Sequence, residues 1–107
     1  MIYEQGDIIK TDLSPVKGHE QSGYRPLLVV SNNDFNHYTN LTKVVPITTH
    51  GEKFPLHIEL PANLITSGQI LTEQERTLDT HARDTHFVEK CPQNILDEVL
   101  KMISETY

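Results

Sequence analysis

Arg25-Pro26-Leu27-Leu28-Val29-Val30-Ser31 is the apolar centre of this 107-residue chain. Four consecutive aliphatic side chains point alternately to the two faces of an extended segment, so both faces are covered and the strand belongs in the middle of a sheet. Pro26 falls among its first residues, where a missing N–H costs least. Upstream, Asp7-Ile8-Ile9-Lys10-Thr11-Asp12-Leu13 is β-branched and partly alternating, and Ser14-Pro15 stops it. Downstream, Lys43-Val44-Val45-Pro46-Ile47-Thr48-Thr49 reads as a strand in which Pro46 predicts a bulge or an edge position. Leu56-His57-Ile58-Glu59-Leu60 alternates with period two, as a half-buried strand does, and Gln69-Ile70-Leu71 is a further short strand. Residues 32–40 are rich in cap formers, with Phe35 and Tyr38 three apart, and predict one or two helical turns. Residues 50–55 and 72–76 read as polar connections. Near the end, Pro92 stands where a first helical residue would be, and Ile95, Leu96, Val99, Leu100 and Ile103 recur on one helical face. Five or six short strands with a terminal helix predict a mainly β (α+β) fold, a small and strongly bent sheet or barrel.

The length suits one domain, expected to span residues 1–107. Nine Lys+Arg against fifteen Asp+Glu give a net charge of −6, which excludes a general nucleic-acid coat or a membrane-surface protein. The acidity is uneven. Residues 73–107 hold eight of the fifteen acids and four of the nine bases, while residues 10–25 are locally basic, a balance that suits a small phosphate site there. The longest aliphatic run is four residues, where a membrane span needs about twenty. No secretory signal is visible at the start, and Cys91 is the only cysteine, so the expected location is the reducing cytoplasm.

Residues 14–24, with two glycines and few apolar anchors, read as an eleven-residue exposed loop. Together with its exit strand it carries Lys17, His19, Glu20 and Arg25: a group near neutral pKa, a carboxylate and a planar cation, the set that phosphate chemistry uses. The plain alternative is a solvated loop. Arg25, between Tyr24 and Pro26, is held where the backbone is stiff and suits bidentate phosphate binding; a salt bridge to Asp12 or Glu59 is its structural alternative. Thr48 ends a strand, where its hydroxyl can donate to a phosphoryl oxygen or bond its own backbone. His81, Asp84, His86 and Cys91 lie within eleven residues but match no tetrahedral zinc spacing, so no metal site is expected. No nucleotide-binding, acyl-transfer or thioredoxin motif occurs.

Gly6-Asp7-Ile8-Ile9, Gly18-His19-Glu20-Gln21 with Gly23 and Arg25-Pro26, and Val44-Val45-Pro46-Ile47-Thr48 resemble the MazF/PemK family of toxin–antitoxin ribonucleases. Phe35-Asn36, Gln74-Glu75-Arg76-Thr77-Leu78-Asp79, Ala82-Arg83 and the terminal helix are similar to its Kid-like branch. The resemblance implies an SH3-like barrel, a homodimer, and sequence-specific, metal-independent cleavage of single-stranded RNA without a cofactor. It also implies a labile antitoxin partner (MazE/PemI-like) whose acidic tail covers the RNA site. Operator DNA would be bound only by the toxin–antitoxin complex. By the same resemblance Arg25 and Thr48 match the active-site Arg and Thr, Glu20 a loop carboxylate and His19 the loop histidine of Kid-like members. Glu73 falls where those members carry a catalytic Asp, and Leu71 where they carry a basic residue proposed as acid.

The chemistry of RNA then suggests roles. A base takes the ribose 2′-hydroxyl proton, the alkoxide attacks phosphorus, and an acid protonates the leaving 5′-oxygen. Arg25 is assigned to the phosphorane charge, Thr48 to a phosphoryl oxygen, Glu73 or Glu20 to the base, and His19 to the leaving-group proton or to base recognition. Lys17, Gln21, Tyr24, Thr49, Phe54, Gln74 and Arg76 are the expected RNA contacts. Two other readings share the fold: a gyrase poison that traps a protein target, and an inactive module kept for antitoxin or operator binding.

Overall fold

The computed structural model describes residues 2–13 and 24–107, folded in the order β1 (Asp7–Asp12), β2 (Tyr24–Val29), α1 (Asn33–Thr39), β3 (Thr42–Thr48), β4 (His57–Glu59), β5 (Gln69–Leu71), a 3-10 turn (Thr72–Gln74), β6 (Arg76–Leu78), β7 (His86–Lys90) and α2 (Gln93–Ser104). The sheet is antiparallel in the order β4-β5-β3-β2-β1-β7, with β6 beside β3. β2, the strand built on the central apolar run, lies inside the sheet between β1 and β3. Ile8, Leu28, Val45, Ile47, Ile58 and Ile70 form one core with Leu96, Val99 and Ile103 of α2. Ile9, Leu27, Val29 and Val44 form a second with Tyr3, Leu13 and Leu78. Alternate residues of β2 thus feed two cores, the physical reason for its unbroken apolar run.

Several boundaries differ from the sequence reading. β2 begins at Tyr24 and ends at Val29, so Pro26 sits inside it, opposite Lys10 of β1. Pro46 marks neither a bulge nor an edge. β3 is internal, with Pro46 across from Leu27 of β2, while on its other side the partner changes from β6 at Thr42, Lys43 and Val44 to β5 at Ile47 and Thr48. The proline therefore stands at the changeover, where no ladder bond from that side is required of it. β5 and β6 thus pair in succession with one side of the same strand.

β6 and β7 are additional to the expected strands. β7 is an edge strand, and its pairing with β1 shifts between Ile8 and Ile9. It carries His86, Glu89 and Lys90, so its apolar pattern is faint; charge and irregularity are how edges avoid further pairing. Lys90 Nζ lies 2.6 Å from Oδ1 of the buried Asp7.

The helices follow the sequence closely. Asn32 caps α1 by accepting from the Phe35 N–H at 2.8 Å, and Asn40 closes it in the left-handed conformation at φ 56°. In α2, Leu96, Val99 and Ile103 are buried, while Pro92 occupies the N-cap, one residue before the helix proper. Neither helix is long and apolar enough to cross a membrane.

Candidate active site

Cross-strand partners share a face of a sheet, so register alone assembles a polar row. Thr11 pairs with Arg25, and the Leu27–Pro46 register carried two residues further sets Arg25 across from Thr48. Thr48 pairs with Gln69, and Gln69 with Glu59. Thr11, Arg25, Thr48, Gln69 and Glu59 therefore run across five strands at the end of the face that carries Ile9 and Leu27. Four inter-strand steps of about 4.8 Å give this row a span of about 19 Å. Thr11 and Thr48 stand two positions after Ile9 and Pro46, and Arg25 and Gln69 two positions before Leu27 and Leu71, so the polar row continues an apolar face at its end.

At the centre of the row Arg25 Nη1 donates to Thr48 Oγ1 at 3.1 Å. The same oxygen accepts from the His50 N–H at 3.2 Å. Both bonds are received, so the Thr48 hydroxyl proton is not spent in either and can be donated outward. The side chain is buried at 4% exposure and stands on a strand end, a preorganised placement for a hydroxyl donor. A cleft of about 320 Å³ opens here, lined by Tyr24, Arg25, Pro26, Thr48, Thr49 and His50 among others. Gly68, at φ +120°, packs its backbone against Thr48: a Cβ there would lie 2.3 Å from the Thr48 carbonyl oxygen.

A second cleft of about 430 Å³ is lined by Lys53, Phe54, Pro55, His57, Glu59 and Gln69. Gln69 joins the two clefts, being the register partner of Thr48 and a wall of the second. His57, two residues along β4 from Glu59 and across from Leu71, shares their face. Its Nε2 is 2.9 Å from Glu73 Oε2 and its Nδ1 is 2.8 Å from the Glu52 carbonyl oxygen. The Phe54 ring is tilted against it at 5.1 Å between centroids. Burial of the His57 ring draws its pKa down, but the hydrogen bonds to Glu73 and Glu52 and the charge of Glu73 outweigh this, and the net shift is upward.

Of the expected site residues, Arg25, Thr48, Tyr24 and Thr49 meet at the first cleft. Tyr24 is 59% exposed, with Lys10 Nζ over its ring at 5.8 Å. Phe54 and Glu73 both contact His57 at the second cleft. Gln74 follows Glu73 in the 3-10 turn, and Arg76 stands on β6 across from Val44, half-buried with its Nη1 enclosed. Lys17, His19, Glu20 and Gln21 lie outside the described residues. His57 and Gln69 were absent from the expected set. The alternation in residues 56–60 is the signal that turns His57 to the polar face, but its partners come from elsewhere in the chain.

His81, Asp84, His86 and Cys91 do not converge. His86 and Asp84 are an exposed pair at 3.5 Å, whereas Cys91 is buried in the core beneath α2, where burial pushes its thiol up to about 11. Among the described residues no group of three or more His, Cys, Asp or Glu is placed to hold a metal ion.

A family model described as PemK-like, MazF-like toxin of type II toxin-antitoxin system matches residues 4–107. Endoribonuclease PemK of Escherichia coli is 37% identical over 106 residues, 94% of this chain and 79% of that protein. The crystal structure of MazF from Deinococcus radiodurans superposes with a TM-score of 0.91 at 31% identity, covering 99% of this chain and 96% of the other. A MazE-MazF crystal structure from the same organism gives a TM-score of 0.86 at 28% identity, again covering 99% and 96%.

Proposed function

This chain belongs to the PemK-like, MazF-like toxins of type II toxin–antitoxin systems, and from that premise we propose that it is an endoribonuclease that cleaves single-stranded RNA at specific sequences without a metal ion. The observation that carries this reading is the Arg25–Thr48 bond at the centre of the polar row. Cleavage by the neighbouring 2′-hydroxyl needs positive charge on the pentacoordinate phosphorane, a donor to a phosphoryl oxygen, and a proton taken and returned. Arg25 supplies the charge with a planar fork, the role a metal plays elsewhere. Thr48 supplies the donor, its oxygen already oriented by two incoming N–H groups. Glu73 or Glu20 takes the 2′-hydroxyl proton, and His19 returns a proton to the 5′-oxygen. The products are a 2′,3′-cyclic phosphate and a 5′-hydroxyl.

The row is long enough for a short run of nucleotides. Lys17, Gln21, Tyr24, Thr49, Phe54, Gln74 and Arg76 bind or stack on the flanking nucleotides. The working unit is a homodimer in the cytoplasm, and a MazE-like antitoxin with an acidic tail covers the Arg25–Thr48 cleft; the similarity to MazE-MazF complexes supports an antitoxin partner. RNA containing every trinucleotide, incubated with the protein in excess chelator, tests this. Intact RNA sinks the ribonuclease reading, loss of cleavage only when chelator is present sinks the metal-free one, and cleavage of a substrate with 2′-deoxyribose at the cut site sinks 2′-oxygen attack.

A further inference from the structure

We propose that His57 is a positioning residue of this site: it clamps Glu73 to the backbone of the 50–55 loop and so sets both the carboxylate and the Phe54 wall beside the Arg25–Thr48 cleft. This rests on the ribonuclease reading above. His57 is 12% exposed in its side chain against 30% for Glu73, so the imidazole is the inner member and the carboxylate the one presented to a substrate. Three separate segments meet at one ring. The β4 strand supplies His57, the 3-10 turn supplies Glu73, and the loop supplies the Glu52 carbonyl and the Phe54 ring.

Both ring nitrogens face acceptors, and a carbonyl oxygen can only accept. The Nδ1 proton is therefore held by Glu52, and Nε2 bonds the ionised Glu73 only when it too carries a proton. The imidazolium satisfies both partners; the neutral ring turns a lone pair toward the carboxylate and releases it. Among the described residues, Lys53 of the loop and Glu59 of β4 are the other charged groups that line the same cleft, and the polar Gln69 faces it from β5. Among these described groups, two carboxylates, Glu73 and Glu59, stand against one lysine, which favours the charged ring. Glu73 is thus held below the raised pKa of His57 and loosened as pH climbs through it.

Single-turnover cleavage of a short RNA by wild type, Arg25→Ala, His57→Ala and His57→Gln over a pH series tests the clamp. His57→Ala should lower kcat by about 10- to 100-fold, the effect of a carboxylate displaced by about an ångström, and should erase the alkaline limb assigned to the ring. His57→Gln, whose amide nitrogen reaches toward Glu73, should recover much of kcat near neutrality with a flat alkaline limb. No cleavage by wild type sinks the ribonuclease reading; cleavage lost in Arg25→Ala yet unchanged in rate and pH profile in His57→Ala sinks the clamp alone. Nitrogen NMR of the ring reads the clamp without activity: Glu73→Gln should lower the His57 pKa, and an unmoved titration overturns the proposal.

Discussion

Replacing Gly68 with alanine tests whether backbone packing behind Thr48 holds the site. The added Cβ would sit 2.3 Å from the Thr48 carbonyl oxygen and 2.7 Å from its carbonyl carbon, both backbone atoms that cannot swing aside. Ordinary contact would require the end of β3 and the Gly68 turn to part by about 1 Å. Holding alanine at φ +120° adds about 1–2 kcal/mol of local strain, and overpacking adds about 1–3 kcal/mol. The sum, about 2–5 kcal/mol, is a large part of the 5–15 kcal/mol typical of a domain. Taking about 1.5 kcal/mol per molar for the urea dependence, the midpoint should fall by roughly 1–3 M.

The site should suffer as well. Moving Thr48 by about 1 Å stretches the 3.1 Å bond from Arg25 to about 4 Å, beyond hydrogen-bonding range, and cleavage under native conditions should drop about 100-fold. Gly51 is the control. A Cβ there meets Gln69 Oε1 at 2.6 Å and Thr48 Cγ2 at 3.2 Å, and the amide end can rotate away, so Gly51→Ala should cost no more than about 1 kcal/mol. A Gly68→Ala protein with wild-type urea midpoint and wild-type cleavage would refute the reasoning.

Thr48, Lys90 and Cys91 each give a further expected outcome. Thr48→Val keeps the buried shape but removes the hydroxyl that receives Arg25 and His50; single-turnover cleavage should fall about 100- to 1,000-fold while far-UV dichroism is retained, and a rate within a few-fold of wild type would remove Thr48 from phosphoryl binding. Lys90→Met leaves the buried Asp7 carboxylate without its cation at 2.6 Å and should cost about 2 kcal/mol at pH 7 in urea titration. The pKa of Lys90 is raised, first by its bond to Asp7, so its contribution is present below the ordinary lysine pKa and lost as pH rises through the elevated folded value. Cys91, buried with its thiol raised to about 11, should resist a thiol reagent at pH 8 in the native state and react fully in denaturant; rapid native labelling would contradict its place beneath α2.

Local sequence chemistry by itself determined much of the frame. Leu27, Leu28, Val29 and Val30 are apolar in succession because two cores need them, and that is readable without any partner strand. Asn32 and Asn40 declare the ends of α1 through bonds and backbone angles within a few residues, and the spacing of Leu96, Val99 and Ile103 needs only a 3.6-residue period. Arg25 and Thr48 were readable as the pair that matters through resemblance; their contact depends on the register of β2 against β3.

Tertiary structure alone decided the rest. His57 and Glu73 are 16 residues apart and touch because β4 pairs with β5 and the chain then turns at Thr72. Pro46 reads locally as an edge residue, yet stands inside the sheet because β6 and β5 change places beside it. β7 is held at the edge partly by the Lys90–Asp7 pair and carries too few apolar residues to announce itself. Local patterns report which face a side chain takes, since that follows from backbone period. Which other segment shares that face depends on strand order and register, and these are set by the packing of the whole chain.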